Sequence, residues 1–211
     1  MLDMNSDTPD DKLVVSPPAS ADSLASIAVN LKTHRLAVAC VENSVSTLMQ
    51  YDLRTGATLL KTGIQEVDPS SPAGVAYSAD GQQLAVLFEY PGGALLLNYD
   101  AKTGKKPQEW VYTVWPSAGI STEPFKTRRE SAITWLDSSN LLLYGQGILN
   151  IKTGKTIASL GVPGVAAQRV LDENQIELLT DDAKGVKVAK LDREKLNALV
   201  NPPATQPTPA P

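Results

Sequence analysis

Three stretches of the chain repeat one spacing: "YDLRTG" from Tyr51, "YDAKTG" from Tyr99 and "LNIKTG" from Leu149. A glycine turn carrying a carboxylate and a hydroxyl could cradle a phosphate or grip a cofactor. That chemistry needs a helix N-terminus behind the glycine, so that its N–H groups converge on the anion. The residues beyond each glycine are strand-like instead: "ATLL", "KKPQEW" and "KTIA". The same residues suit a structural turn. Asp52 and Asp100 can accept bonds from backbone N–H groups two residues on, Thr55, Thr103 and Thr153 can reinforce them, and Gly56, Gly104 and Gly154 supply the left-handed residue of a type I turn with a bulge. In the third copy Asn150 is read as standing one position early, so only half the device is expected there.

The other chemistry-bearing residues do not assemble into a motif. His34 is the sole histidine and sits in an expected turn, "NLKTHRL". Cys40 is the sole cysteine and lies in the apolar run "RLAVACV", which excludes an intramolecular disulfide framework or a cysteine-based zinc cluster. The acidic neighbours Asp10-Asp11, Glu66/Asp68 and Asp181-Asp182 lack a histidine or lysine partner at a motif spacing. No serine stands in a Gly-x-Ser-x-Gly elbow. No catalytic residue, metal site or cofactor is expected.

Composition limits the class of partner. The 211 residues carry a net charge of −4, with 42% apolar and 20% charged residues, an ordinary globular balance. Nucleic-acid binding needs clustered lysine and arginine, and Arg128-Arg129 is the one adjacent arginine pair. No apolar run approaches the ~20 residues of a membrane span, and the start of the chain lacks the basic and apolar regions of a secretory signal. Neither nucleic acid nor membrane insertion is therefore expected, and a cytoplasmic location is the default.

The elements that would position any site come from a repeat. "IAVNLKTHRLAVACV", "VAYSADGQQLAVLFEY", "AITWLDSSNLLLYG" and "RVLDENQIELLTD" each place two apolar strands around a short polar break, the pattern of a hairpin. A third strand comes after each, and in the first three units the Thr-Gly turn leads to a fourth. Gly56, Gly104 and Gly154 recur at intervals of 48 and 50 residues, the period of a propeller blade. The expected fold is all-β: a β-propeller of about four four-stranded antiparallel blades at 24–63, 73–114, 131–161 and 165–192. Residues 1–11 and the Pro-rich tail 201–211 are expected to be disordered, and 193–200 to form a short helix. An orphan strand at 12–17 either completes the fourth blade or belongs to a preceding one. The second alternative makes the chain part of a larger or incomplete propeller.

"YSADGQQLAVL" (Tyr77 to Leu87) resembles the Ser-Pro-Asp-Gly-x-x-Leu-Ala turn of bacterial WD40-like blades, and "YDLRTG" and "YDAKTG" resemble their strand-ending Tyr-Asp and Thr-Gly turn. The resemblance to WD40-like and quinoprotein-like propeller repeats covers roughly residues 24–192. It departs from the pattern in having no Gly-His or Trp-Asp dipeptide, and only Trp110 approximates the tryptophan that quinoprotein repeats place beyond Thr-Gly.

In such a fold the Thr-Gly turns leave one face, and the inter-blade connections leave the other. The longest connection, "WPSAGISTEPFKTRRE", carries Trp115, Phe125, Arg128 and Arg129; "FEYPGG" on the same expected face adds Glu89 and Tyr90. These six form the candidate patch for a protein or peptide partner, because aromatic and arginine side chains dominate contact surfaces. The resulting expectation is a non-catalytic scaffold, with a homodimer or missing upstream blades as alternative completions of the ring. The alternative is a fragment of a lactonase-like or quinoprotein dehydrogenase-like enzyme. That enzyme would need polar or acidic residues where the inner strands read "ASIAVN", "GVAYS", "SAITW" and "VAAQRV".

Overall fold

The computed structural model describes residues 21–64, 72–90, 93–105, 112–114, 132–143, 147–159, 165–170, 175–182, 185–192, 194 and 198. The first sheet contains β1 (Ala21–Asn30), β2 (Arg35–Glu42), β3 (Val45–Asp52) and β4 (Thr58–Ile64). The second contains β5 (Pro72–Tyr77), β6 (Gln83–Tyr90), β7 (Gly93–Asp100) and β8 (Tyr112–Val114). β9 (Ile133–Trp135), β10 (Asn140–Leu143), β11 (Gly147–Asn150) and β12 (Lys155–Ser159) form the third. The fourth has three strands among the described residues, β13 (Val165–Val170), β14 (Gln175–Asp182) and β15 (Gly185–Asp192). Each sheet follows chain order and every pairing is antiparallel.

Local chemistry sets the hairpins. β2 and β3 are joined by Asn43-Ser44, both at positive φ (50° and 63°), with Glu42 opposite Val45. That two-residue shape matches strand twist, and asparagine tolerates the left-handed region well. Between β1 and β2 the Asn30 side chain accepts a bond from the Thr33 N–H at 3.0 Å, and His34 takes φ 50° to close the turn.

The middle strands read as unbroken apolar runs ("LAVACV", "LAVLF", "LLL") rather than alternating ones because both faces are covered. β5 lies against β1 and β2, β9 against β5 and β13 against β9. The first strands of successive sheets are therefore neighbours, as in a β-propeller whose blades stack around an axis. The facing sides differ in kind. Toward the next sheet, the inner strands present mostly small residues: Ala28, Ala37 and Ala39 in the first sheet, Gly74, Ala76 and Ala85 in the second. Toward the preceding sheet they present large ones: Val75, Tyr77, Leu84, Val86 and Phe88 in the second, Ile133, Trp135, Leu141 and Leu143 in the third. Large side chains of one sheet fill the space left by small ones on its neighbour. Each fully buried Leu or Phe contributes about 1.5–3 kcal/mol relative to exposure.

Strand 12–17, the tail 201–211 and residues 1–11 lie outside the described residues, as does most of 193–200, where only Glu194 and Ala198 are described, both helical.

Candidate interaction face

The ends of the sheets differ in chemistry. At one end stand the Asp-x-x-Thr-Gly turns. Asp52 Oδ1 accepts from the N–H groups of Arg54 (2.7 Å) and Thr55 (3.0 Å), and the Gly56 N–H donates to the Asp52 carbonyl at 2.8 Å. Asp100 Oδ1 accepts from Lys102 and Thr103 N–H and from the Thr103 hydroxyl at 2.9 Å. Gly56, Gly104 and Gly154 all take positive φ, between 67° and 72°. The register slips by one residue just before the first and third of these turns, which is how the fourth strand enters. In the first two turns Oδ1 of the aspartate is committed to the turn itself.

The third copy corrects the expectation of half a device. Asn150 stands four residues before Gly154, the spacing of Asp52 before Gly56. Its Oδ1 accepts from the N–H groups of Lys152 and Thr153, each at 3.1 Å, and from the Thr153 hydroxyl at 3.2 Å. A side-chain amide oxygen accepts as a carboxylate oxygen does, so the turn is complete without the charge.

Donated bonds hold these carboxyls ionised. The Arg54 and Thr55 N–H groups push the Asp52 pKa below its ordinary value, and the Thr103 N–H and hydroxyl do the same for Asp100. Asp80, in the "SADG" turn, is lowered chiefly by the Ser78 hydroxyl at 2.6 Å.

The opposite end carries the connections. Glu89 pairs with Ala94, and Ala94 with Val114, so these three stand in one cross-strand row. Tyr90 lies one pair further out, opposite Gly93. The chain leaving Val114 toward Trp115 therefore departs from the sheet end that holds Glu89 and Tyr90. The same end meets the start of the third sheet, where a Cβ on Gly74 would stand 3.2 Å from Ile133 and 3.3 Å from Ala132. Trp115, Phe125, Arg128 and Arg129 themselves lie outside the described residues.

Sequence reasoning missed the polar ties between sheets. Arg35 Nη1 donates to the Ala101 carbonyl at 2.6 Å, joining the first sheet to the second sheet's Thr-Gly turn. Gln83 Nε2 donates to the Ser138 carbonyl (3.0 Å) and Trp135 Nε1 to the Ala76 carbonyl (2.9 Å), both joining the second and third sheets. Gln168 Nε2 reaches back to Thr134 Oγ1 (3.0 Å) and the Leu142 carbonyl (2.9 Å). The only signal for them in the sequence is a polar residue recurring in otherwise apolar strands. Cys40 is fully buried, and that burial, with Glu42 nearby, raises its thiol pKa, the setting of an inert core cysteine. Among the described residues no group of three or more His, Cys, Asp or Glu could hold a metal ion, and no helix is long and apolar enough to cross a membrane.

No family model matches the chain, and no curated protein matches it. Among solved structures it is similar to the β-propeller domain of Cps50 (Swd1) from Myceliophteria thermophila, at 14% identity and TM-score 0.40, over 80% of this chain and 72% of that one. It is also similar to TolB from Acinetobacter baumannii (12%, TM-score 0.46, 82% of this chain and 41% of TolB). A third similarity is to Hsv2 from Kluyveromyces lactis (11%, TM-score 0.37, 79% and 46%). The chain spans less than half the length of TolB and of Hsv2.

Proposed function

We propose that the protein is a non-catalytic β-propeller scaffold that presents a protein- or peptide-binding patch at the connection end of its second and third sheets. The row Glu89, Ala94, Val114 carries this reading, because it brings Glu89 and Tyr90 to the point where the chain departs toward Trp115, Phe125, Arg128 and Arg129. Aromatic anchors beside arginine, carried on a long connection held at both ends by rigid strands, suit recognition of another polypeptide. Within propellers we assign the repeat to the WD40-like, quinoprotein-like type, on the Ser78-Asp80-Gly81 turn in which Ser78 bonds Asp80 and Gly81 takes φ 71°.

The combined variant Trp115→Ala, Phe125→Ala, Arg128→Ala, Arg129→Ala is expected to lose the polypeptides that co-purify with the wild-type chain while keeping its thermal midpoint. An unchanged set of co-purifying polypeptides, with the fold intact, would remove the patch from consideration.

A further inference from the structure

The end of the first three sheets that carries the Thr-Gly turns is one continuous face. Within each sheet the turn is tied to the neighbouring hairpin: the Leu53 N–H donates to the His34 carbonyl, that of Ala101 to Gln82 and that of Ile151 to Ser139, each at 2.8 Å. Between sheets, Arg35 bonds the Ala101 carbonyl and Gln83 that of Ser138. What these turns present to water follows from the repeat. Two places after the capping Asp52, Asp100 or Asn150 stands Arg54, Lys102 or Lys152, and Lys105 and Lys155 directly follow the glycines of the second and third copies. All five are exposed, and none makes a salt bridge or side-chain hydrogen bond among the described residues.

Charge is layered on this face. Asp52, Asp80, Asp100 and Asp137 are each drawn back onto their own turn, where Oδ1 accepts backbone N–H groups. Lysine and arginine stems are longer, so the outermost charges are positive. The copies are also graded. The first turn balances Arg54 against Asp52, the second sets Lys102 and Lys105 against Asp100, and the third, capped by neutral Asn150, carries Lys152 and Lys155 with no carboxylate in the turn. Apolar exposure runs the other way. Leu31, in the hairpin that His34 closes, is 71% exposed, and Leu59, just past the first turn, is 48% exposed. Among the described residues of the second and third sheets, no large apolar side chain is comparably exposed. The chain as a whole carries a charge of −4, so a cationic end steers an anionic partner to itself.

We propose that this turn face docks an acidic segment of a partner polypeptide, its apolar residues over Leu31 and Leu59 and its carboxylates over the lysines of the second and third turns. Charge complementarity specifies the carboxylates, and the two leucines specify the apolar side chains beside them. A polyphosphate or an anionic bilayer fits less well. Its closely spaced charges are set against Asp80, Asp100 and Asp137 as well as the lysines, whereas carboxylates spaced along a peptide can sit over the lysines alone. The face lies at the opposite end of the sheets from the patch around Trp115, and the inference does not rest on that patch.

The test is fluorescence anisotropy of a labelled peptide with a leucine-rich half and a glutamate-rich half, titrated with the full chain. Binding is expected at low ionic strength, and it should weaken as the screening length falls from about 10 Å at 0.1 M salt to about 3 Å at 1 M. Lys102→Glu, Lys105→Glu, Lys152→Glu and Lys155→Glu together are expected to weaken it on the order of 10-fold or more, with the thermal midpoint kept. Leu31→Ser with Leu59→Ser is expected to weaken it several-fold while leaving its salt dependence. Alanine at Trp115, Phe125, Arg128 and Arg129 is expected to leave it as in wild type. The proposal is overturned if the peptide does not bind at low salt, if either the lysine or the leucine set leaves binding unchanged, or if the Trp115 set abolishes it. Tighter binding of a single-stranded oligonucleotide or of phosphatidylserine vesicles, lost with the four lysines, assigns the face to phosphates and overturns the stated occupant.

Discussion

The first and second sheets are the same device in different surroundings. Leu84 and Phe88 in the second are completely buried between two neighbours, while their counterparts in the first are the half-buried Leu36 and the smaller Cys40. Tyr99 and Tyr51 end equivalent strands. Burial lifts the Tyr99 hydroxyl to about 12, and raises that of Tyr51 in the same direction. Strand sequence alone therefore does not set how much a blade contributes; the neighbouring sheet decides how much of its apolar surface leaves water.

The largest expected effect is set by side-chain size at two positions that are both fully buried. Phe88→Ala removes a fully buried ring between the first two sheets and is expected to destabilise by about 3–5 kcal/mol in a urea titration. Cys40→Ala, at the corresponding position of the first sheet, is expected to cost about 1 kcal/mol, roughly one buried heavy atom. Equal losses would break the comparison.

A smaller effect concerns the turns. Gly56 and Gly104 both hold positive φ, so alanine at either is expected to cost about 1–2 kcal/mol from backbone conformation. At Gly104 the added Cβ also collides with the Leu60 side chain of the first sheet. Gly104→Ala should therefore exceed Gly56→Ala by about 1 kcal/mol or more. Thermal midpoints of the two variants decide the point, and equal shifts would mean that Leu60 moves aside freely.

The smallest effect separates the charged turns from the neutral one. Since Asn150 completes the third turn without charge, Asp100→Asn is expected to change stability at pH 7 by less than about 0.5 kcal/mol. Its pH dependence should differ. A carboxyl whose folded pKa is depressed contributes stability above its unfolded pKa of about 3.9, and that contribution disappears as pH falls through the lower folded value. Asp100→Asn should accordingly lose less stability than wild type between pH 5 and the acid transition. A steeper acid loss in the variant would contradict the role assigned to the carboxylate.

Much of the fold was legible because its determinants are local. The Thr-Gly turns, the four polar breaks and the apolar runs each act within a few residues, and together they dictate strand type, pairing and sheet succession. The misreading of Asn150 came from its spacing, which is the same four residues that separate Asp52 from Gly56 and Asp100 from Gly104. The ties made by Arg35, Trp135 and Gln168 were not legible, since their partners lie 66, 59 and 26 to 34 residues away. Only packing reveals that a strand-end arginine meets another sheet's turn. For the candidate patch, Glu89 and Tyr90 gain a position from register, a property no single strand carries.

The succession of sheets along the chain also bears on synthesis. Each sheet closes through contacts within about 50 residues, so it can form as soon as it leaves the ribosome. The small-residue side of the first sheet, with Ala37, Ala39 and Leu48, must then wait in water until the second sheet arrives some 48 residues later. At 5–20 residues per second, that interval is on the order of several seconds. During it, Ala37, Ala39 and Leu48 form an apolar surface open to a chaperone, and arrival of Val75, Val86 and Phe88 ends that exposure.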